Sequence, residues 1–422
     1  MNSGSSEPVV NAPKDSRIKV FGLACILGTL SAFGPFSIDM YLPALPKVAQ
    51  SLHSSASLAQ LSLTACLMGI ALGQIFVGPI SDVWGRRKPL LAGLLIYALA
   101  SLCCVFAPTI SLFILMRLIQ GLAGAAGIVI SRAAVRDLYS GPQMTRFFSL
   151  LMLINGVAPI LAPVVGGQIL QFTSWRGVFI VLTGIGLLMM LAVFWGLEET
   201  LPAERRAGPN LAHTWNTFRY LMGNPKFMGC ALCQGFVTAG MFAYISGSPF
   251  VIQNIFGVSP QTFSLIFAVN GLGIIIAGQF TGRLAGRISE RKLLLFGLTM
   301  AFGGGVALLA MILAGGGLLA ILVPLFFAVS SVGIVGTSSF ALAMEDQAKN
   351  AGSASALLGL LSFVLGGFMA PLVGIAGSHN ALPMGITIAA AETAALLCYG
   401  FLVKGLKRRP KPAFEVNEGK KH

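Results

Sequence analysis

Three ionisable residues lie inside long apolar runs of this sequence: Asp39, Arg117 and Glu392. In the hydrocarbon of a bilayer, each would cost at least about 2.5 to 3.5 kcal/mol, so each requires a partner, a water-filled cavity or a function. Asp39 lies near one end of its run, and Arg117 lies about two turns into its own run from the same side. We therefore predict that the two face one another across a cavity, and that the arginine tunes a proton-binding carboxyl.

Each of these residues also has a plainer interpretation. Asp39 could be a helix-end acid near the lipid headgroups, because Pro43 and Pro46 follow it closely. Arg117 could be a structural tie between helices, since a guanidinium carries five donors. For Glu392 we favour a protonated acid hydrogen-bonded to a neighbouring helix over a second proton site, and the sequence does not identify its partner.

The elements that position these residues are predicted to be transmembrane helices. Of the 422 residues, 55% are hydrophobic and only 10% are charged, whereas soluble proteins have about 25% charged residues. A bilayer core of about 30 Å takes about 20 apolar residues per helix. Windows of that size fall at 18–41, 57–77, 89–107, 110–137, 146–170, 175–197, 227–250, 259–283, 292–314, 317–343, 350–374 and 381–404.

The predicted fold class is an all-α membrane protein with 12 transmembrane helices in two six-helix bundles, related by a pseudo-two-fold axis. The predicted parts are a cytoplasmic tail at 1–17, a first bundle at 18–197, a cytoplasmic linker at 198–226, a second bundle at 227–404 and a cytoplasmic tail at 405–422.

The positive charge of the chain is predicted to set its orientation. The formal net charge of +14 could indicate a nucleic-acid partner, but nearly all of the 28 Lys and Arg fall in connections on one side of the predicted helices. The opposite side holds only Lys47 and Arg176. By the positive-inside rule both termini are cytoplasmic, and no nucleic-acid partner is expected.

The sequence gives no support for metal, redox or nucleotide chemistry. The seven cysteines all lie in apolar runs, and the CxxC spacing of Cys230 and Cys233 has no second pair or nearby His to complete a metal site. The sequence has no GxxxxGK[ST] run, so ATP hydrolysis is not expected. We therefore predict no metal, no cofactor and no enzymatic activity.

A weak internal repeat links the two predicted halves. The run GPISDVWGRRK from Gly78 to Lys88 follows the second predicted helix, and a related run from Gly278 to Lys292 follows the eighth. Two parallel halves around a midplane site are one architecture of alternating-access transporters.

The run from Gly78 to Lys88 resembles the loop signature between helices 2 and 3 of the major facilitator superfamily. The resemblance continues in RLIQG from Arg117, and in APILAPVVGG from Ala158, which looks like the signature of the superfamily's exporters. Ala162 stands where those exporters usually have Gly. The runs SIDMYLPALP from Ser37 and RAAVRDLY from Arg132 narrow the resemblance to the Bcr/CflA family of drug:proton antiporters.

The resemblance implies roles for particular residues. Asp39 occupies the position of a membrane acid used by related multidrug exporters, and Arg117 accompanies it in proton coupling. The resemblance also implies a conformational latch, which comprises Gly78, Asp82, Gly85, Arg86, Arg136 and Asp137. In it, Asp82 accepts from backbone amides at a helix N-terminus and pairs with Arg86 or Arg136. The antiporter-motif helix carries Gly156, Pro159, Pro163, Gly166 and Gly167. Candidate substrate-cavity residues are Gln234, Phe236, Phe242, Tyr244, Ser246 and Asn270.

The function implied is that of a secondary active transporter, a functional monomer of the bacterial cytoplasmic (inner) membrane. It would export small, largely apolar drugs or antibiotics in exchange for protons by alternating access, driven by the proton gradient alone. Its expected partners are the small-molecule substrate, protons and the lipid bilayer. The alternatives are a symporter or facilitator for a small metabolite such as a sugar, a metabolite exporter, and a membrane receptor or structural protein without flux.

Overall fold

The structure is a computed structural model that describes residues 17–139, 141–206, 211–347, 351–377 and 379–404. The first half contains α1 (Arg17–Ser31), α2 (Phe33–Asp39), α3 (Leu45–Ser51), α4 (Ala56–Trp84), α5 (Arg87–Val105), α6 (Ile110–Leu138), α7 (Gly141–Phe172) and α8 (Trp175–Gly196). The second half and the connection before it contain α9 (Leu211–Met222), α10 (Pro225–Phe250), α11 (Pro260–Leu284), α12 (Glu290–Leu313), α13 (Leu318–Met344), α14 (Ala351–Leu372) and α15 (Leu382–Cys398). Of the two predicted tails, only Arg17 is described, because 1–16 and 405–422 lie outside the described residues.

The predicted fold class is confirmed. Within the described ranges, eleven helices are long and apolar enough to cross a membrane, or twelve if the bent pair Phe21–Ser31 and Phe33–Ser51 counts as one broken span. Most predicted windows agree with the observed helices to within a few residues. The predicted linker differs from expectation in that it contains a helix, α9.

The first span is broken rather than continuous. It bends by 41° between α1 and α2, where Pro35 would clash with the carbonyl of Ser31 in a continuous helix. Helix α2 then ends at Asp39, and a 3-10 turn at Leu42–Ala44 with Pro43 in it leads to α3. The broken backbone therefore places Asp39 at a helix end in the interior of the bundle, where it is 6% exposed.

The run from Gly78 to Trp84 is helical, so its prediction as part of a loop was wrong. Helix α4 continues past Pro79 to Trp84, although this proline lacks a backbone N–H donor. The turn is confined to Gly85, whose φ of 84° favours glycine.

The two halves repeat one close helix contact. A methyl group at Gly121 on α6 would overlap the carbonyl oxygen of Cys66 on α4, and one at Gly333 on α13 would overlap the carbonyl oxygen of Ile274 on α11. Backbones that approach this closely pack helices tightly in a membrane, where van der Waals contact drives association. The same helix pair of each half is thus joined through glycine.

Alanine at these glycines is expected to destabilise the protein. Gly121→Ala and Gly333→Ala should each lower the free energy of unfolding by about 1 to 3 kcal/mol, because a methyl group forces the backbones apart. Gly336→Ala is the matched control on the same helix as Gly333, since its methyl group meets nothing within 4 Å. Thermal unfolding of the purified variants in detergent measures the effect, and equal transitions for Gly333→Ala and Gly336→Ala would contradict it.

Candidate functional site

Arg117 is fully buried and is held by neutral groups. Its Nη2 donates to the carbonyl oxygen of Ser37 at 2.6 Å, and its Nη1 donates to Oε1 of Gln120. Its guanidinium also lies over the ring of Tyr41, 4.4 Å from the centroid. Gln120 is fixed in turn, because its Nε2 donates to Oγ of Ser101 at 2.7 Å. Arg117 on α6 thus ties the end of α2 to α5.

Asp39 has no such partner. The structure gives it no hydrogen bond and no ion pair to any residue within the described ranges, although it is 6% exposed. It lies close enough to Tyr244 of the second half, and to Cys66 of α4, for electrostatic interaction. No ion pair joins Asp39 and Arg117 in this conformation. The arginine donates to Ser37 and Gln120 instead, and its Nε has no hydrogen-bond partner among the described residues. A role of Arg117 in tuning Asp39 stays a prediction.

Two hydroxyl contacts hold the backbone around Asp39. The hydroxyl groups of Ser37 and Tyr97 lie 3.0 Å apart, and those of Tyr41 and Ser62 lie 2.8 Å apart. The residues two before and two after Asp39 are therefore both fixed to neighbouring helices, which limits where the carboxyl can move.

An ion-pair cluster forms around Arg86, where the latch is predicted, and the switching role of these residues stays a prediction. Its Nε donates to Oδ2 of Asp137 at 2.8 Å, and its Nη1 donates to Oδ1 of Asp82 at 2.6 Å and to Oγ of Ser81 at 2.7 Å. Asp82 thus pairs with Arg86, whereas Arg136 is exposed and forms no ion pair with a described residue. The cluster joins the ends of α4 and α6 to the start of α5, all within the first half.

Glu199, after α8, has the capping role that was expected of Asp82. Its Oε1 accepts from the backbone N–H of Arg86 at 2.7 Å, and its Oε2 accepts from that of Arg87 at 3.2 Å. These N–H groups open α5, where a negative charge is favourable. Glu199 was missed because it is 113 residues from Arg86 in sequence, and no spacing in the sequence connects the two.

The pKa of Glu199 reflects this position. Partial burial raises the pKa, but hydrogen bonds from three backbone amides and the charge of Arg206 lower it by more. The net pKa therefore lies below the ordinary glutamate value, and the group is ionised at neutral pH.

The antiporter-motif helix, α7, lies between the halves. A methyl group at Gly166 would overlap the carbonyl oxygen of Met40, the residue after Asp39, and one at Gly167 would stand 2.5 Å from Oγ of Ser264 on α11. Pro159 and Pro163 lie inside the helix, and Gly156 faces Ile275 of α11 without crowding it. The glycines thus let α7 contact both the Asp39 segment and the second half.

The candidate substrate-cavity residues divide into two groups. Tyr244 and Asn270 are brought together, because Asn270 Nδ2 donates to the Tyr244 hydroxyl at 2.9 Å. Asn270 also lines a cavity of about 230 Å³ between α11 and α13. The other four make other contacts. Phe242 packs on Phe363, and Ser246 donates to the carbonyl of Ala370. Gln234 is half-buried, and Phe236 packs against a core shared by α10, α12, α13, α14 and α15.

Hydrogen bonds join the halves at the distal end, by which we mean the end of the bundle opposite the Arg86 cluster. Among the described residues, five side chains donate across the interface to backbone carbonyls at 3.0 to 3.1 Å. The donor and acceptor pairs are Ser57 with Pro371, Gln60 with Ser246, Thr64 with Gly367, Gln253 with Pro43, and Gln261 with Gly167. The halves are therefore closed at the distal end. The sequence did not predict these glutamine donors. Polar residues are common near helix ends, so nothing in the sequence distinguishes the ones that bridge the halves.

Comparisons with known proteins agree with this architecture. The sequence model of the Major Facilitator Superfamily matches residues 26–371. The uncharacterised MFS-type transporter YdgK of Bacillus subtilis (strain 168) is 47% identical over 365 residues, which are 86% of this chain and 90% of that protein. The bicyclomycin resistance protein homolog of Haemophilus influenzae is 32% identical over 384 residues, which are 91% and 96% of the two chains.

The fold also has solved counterparts. A bacterial homologue of the human lysosomal transporter Spinster, in an inward-facing and unoccupied conformation, is similar with a TM-score of 0.72 at 16% identity. The similarity covers 92% of this chain and 97% of that one.

Removal of the Glu199 cap is expected to destabilise the protein in a pH-dependent way. Glu199→Ala should cost about 1 kcal/mol near neutral pH, as the loss of a helix cap does. Because the folded-state pKa is depressed, the contribution is present above the ordinary glutamate pKa of about 4.3 and is lost as the pH falls through the lower folded value. Wild type and Glu199→Ala should therefore converge in acid.

Thermal unfolding over a pH series measures this difference. Glu204→Gln, a change at an exposed acid of the same connection, is the control and should match wild type throughout. A Glu199→Ala deficit that persists unchanged in acid would contradict the assignment of the cap to an ionised carboxylate.

Proposed function

The chain belongs to the major facilitator superfamily and is a multi-pass membrane transporter rather than an enzyme, and from that premise we propose that it exports small, largely apolar drugs or antibiotics in exchange for protons. The resistance function in the name of the Haemophilus influenzae relative supports an antibiotic substrate.

The observation that carries the proposal is the isolated carboxyl of Asp39. A buried carboxylate without a partner is costly, so it takes up a proton or faces a polar or cationic group of a ligand. Its site lies beside the interface of the halves, within electrostatic range of Tyr244 on α10. A group that both binds a proton and lies at the moving interface can couple the two events.

The exchange then proceeds as follows. From the side opposite the cytoplasm, a proton binds Asp39 and substrate leaves. After the halves close at the distal end, as they are here, the site is presented to the cytoplasm, where Asp39 gives up its proton and substrate binds. A membrane potential adds about 2.3 kcal/mol per charge per 100 mV to the driving force.

Arg117 has a positioning role in this mechanism. It fixes Ser37 two residues before Asp39 and stacks on Tyr41 two residues after it. Because it donates to Ser37 and Gln120 rather than to the carboxyl, it holds the backbone around Asp39 without forming an ion pair that would block proton binding.

Two features support alternating access. The halves meet at the distal end through hydrogen bonds from side chains to carbonyls, which are individually weak and can exchange with water. Helix α7 contacts both Met40 and α11 through adjacent glycines, so a shift of one half is transmitted to the residue after Asp39.

The proposal includes the setting of the transporter. It places the protein in the bacterial cytoplasmic membrane with both termini in the cytoplasm, on the basis of the positive-inside rule. It takes the protein to act as a monomer, with the proton gradient as its energy source and without a cofactor.

Asp39→Asn is expected to abolish export. In an efflux-deficient bacterial host, wild type should raise resistance to at least one compound in a panel that includes bicyclomycin and amphenicols. Asp39→Asn should give the resistance of the empty vector at equal membrane expression, because an amide cannot release a proton. Glu204→Gln, at an exposed acid, is the control and should match wild type.

The same pair of variants separates the alternatives. Full resistance in Asp39→Asn would overturn the role of this carboxyl. A proton symporter would accumulate solute in cells instead of expelling it, so the direction of pH-driven solute movement in membrane vesicles distinguishes uptake from export.

Arg117→Lys is expected to reduce export strongly. Lysine has a single ammonium group that cannot both stack on Tyr41 and hold Ser37 and Gln120, and loss of these contacts should cost about tenfold in export rate. The pH at which export is half-maximal should also shift, which a purely structural tie would not require. Arg219→Lys, at an exposed arginine of α9, is the control; unchanged rate and pH profile in Arg117→Lys would contradict this role.

A further inference from the structure

Glu392 lies in the middle of α15 and is 2% exposed. Two glycines make room for its side chain. A methyl group at Gly240 on α10 would stand 2.6 Å from its Oε1, and one at Gly305 on α12 would stand 3.4 Å from its Cγ. The carboxyl is thus enclosed among α10, α12 and α15, in a place that larger residues on the neighbouring helices would fill.

Within the part of the chain that the structure describes, the carboxyl has no hydrogen-bond partner. Its Oε2 is buried and unpartnered, and no hydrogen bond or ion pair joins Glu392 to a described residue of α10, α12 or α13. The expected hydrogen bond to a neighbouring helix is therefore not present in this conformation. An ionised carboxylate in such a place would cost several kcal/mol, so the group holds a proton here.

A small cavity lies against Glu392. It is too narrow to hold a water molecule. Its lining residues are Gly240, Met241, Tyr244, Leu325, Ala328, Val329, Ile388 and Glu392. Tyr244 is the only other titratable residue of this lining, and none of the lining residues from α10, α13 and α15 other than Glu392 carries a charge.

Tyr244 connects this cavity with the centre of the protein. Its side chain lines the Glu392 cavity and also lies within electrostatic range of Asp39. Its hydroxyl accepts a hydrogen bond from Asn270 at 2.9 Å, which limits the movement of the ring. A movement of α10 therefore changes the surroundings of both carboxyls together.

We propose that Glu392 is a second proton-binding site, in the second half of the transporter, which releases its proton when α10 moves against α15 and admits water to the cavity. The ligand is a proton because the enclosed space excludes anything larger. The coupling of this proton to substrate rests on the proposed function, whereas the site itself does not.

Infrared spectroscopy of the protein in lipid nanodiscs tests the site. Wild type should show the C=O band of a protonated carboxylic acid that is missing from Glu392→Gln, and this band should decrease with rising pH over a range in which the protein stays folded. Glutamine has the shape of the neutral acid, so the variant is expected to fold. If it does not, isotope-labelled glutamate in wild type identifies the band.

Two infrared results would overturn the proposal. One is a Glu392 carboxyl that is ionised at every pH, and the other is a band that stays constant at every pH at which the protein is folded, as a purely structural acid would give.

A proton count separates this proposal from the proposed function. After a pH jump without substrate, an indicator dye should detect about one proton fewer per protein from Glu392→Gln than from wild type, and about one further proton fewer from the double variant with Asp39→Asn. An undiminished count in Glu392→Gln would overturn the second site. Failure of the proposed function would instead appear as resistance that is independent of Asp39, with the proton count of Glu392→Gln still reduced.

Discussion

The contact between Arg117 and the carbonyl oxygen of Ser37 is the interaction on which the arrangement of the site depends. The break of the first span leaves polar backbone in the interior of the bundle, and a fully buried guanidinium satisfies part of it. Gln120 and Tyr41 provide further contacts, so the arginine is held without an acid. The adjacent carboxyl of Asp39 is left without a hydrogen bond or ion pair among the described residues, as the proposed proton exchange requires.

The two ends of the protein differ in the kind of contact that holds them. At one end, the charges of Arg86, Asp82 and Asp137 pair within the first half, and Glu199 caps the helix that follows. At the distal end, neutral side chains donate to carbonyls across the halves. The charged contacts thus lie within the first half, whereas the contacts between the halves at the distal end are neutral hydrogen bonds that exchange with water at lower cost.

Much of the fold could be predicted from the sequence, because each span is a long apolar run with charged or turn residues at its ends. The turn at Gly85 follows from a glycine between two helices. The break before α2 was missed, although Pro35 carries its signal. The sequence also indicated that Asp39 and Arg117 are buried, but it could not indicate that they are not paired, because a carbonyl acceptor such as that of Ser37 exists at every residue. Glu199 could not be found either, since its contact with Arg86 is set only by the packing of α8 beside α5.

The central claim is that the unpartnered carboxyl of Asp39 exchanges its proton for substrate. Calorimetric titration of the purified wild-type protein with an exported drug, in two buffers of different protonation enthalpy, measures the protons released on binding. The account predicts that wild type releases about one proton per bound drug and that Asp39→Asn binds the drug with no release. Equal release from both proteins, or none from wild type, would contradict it.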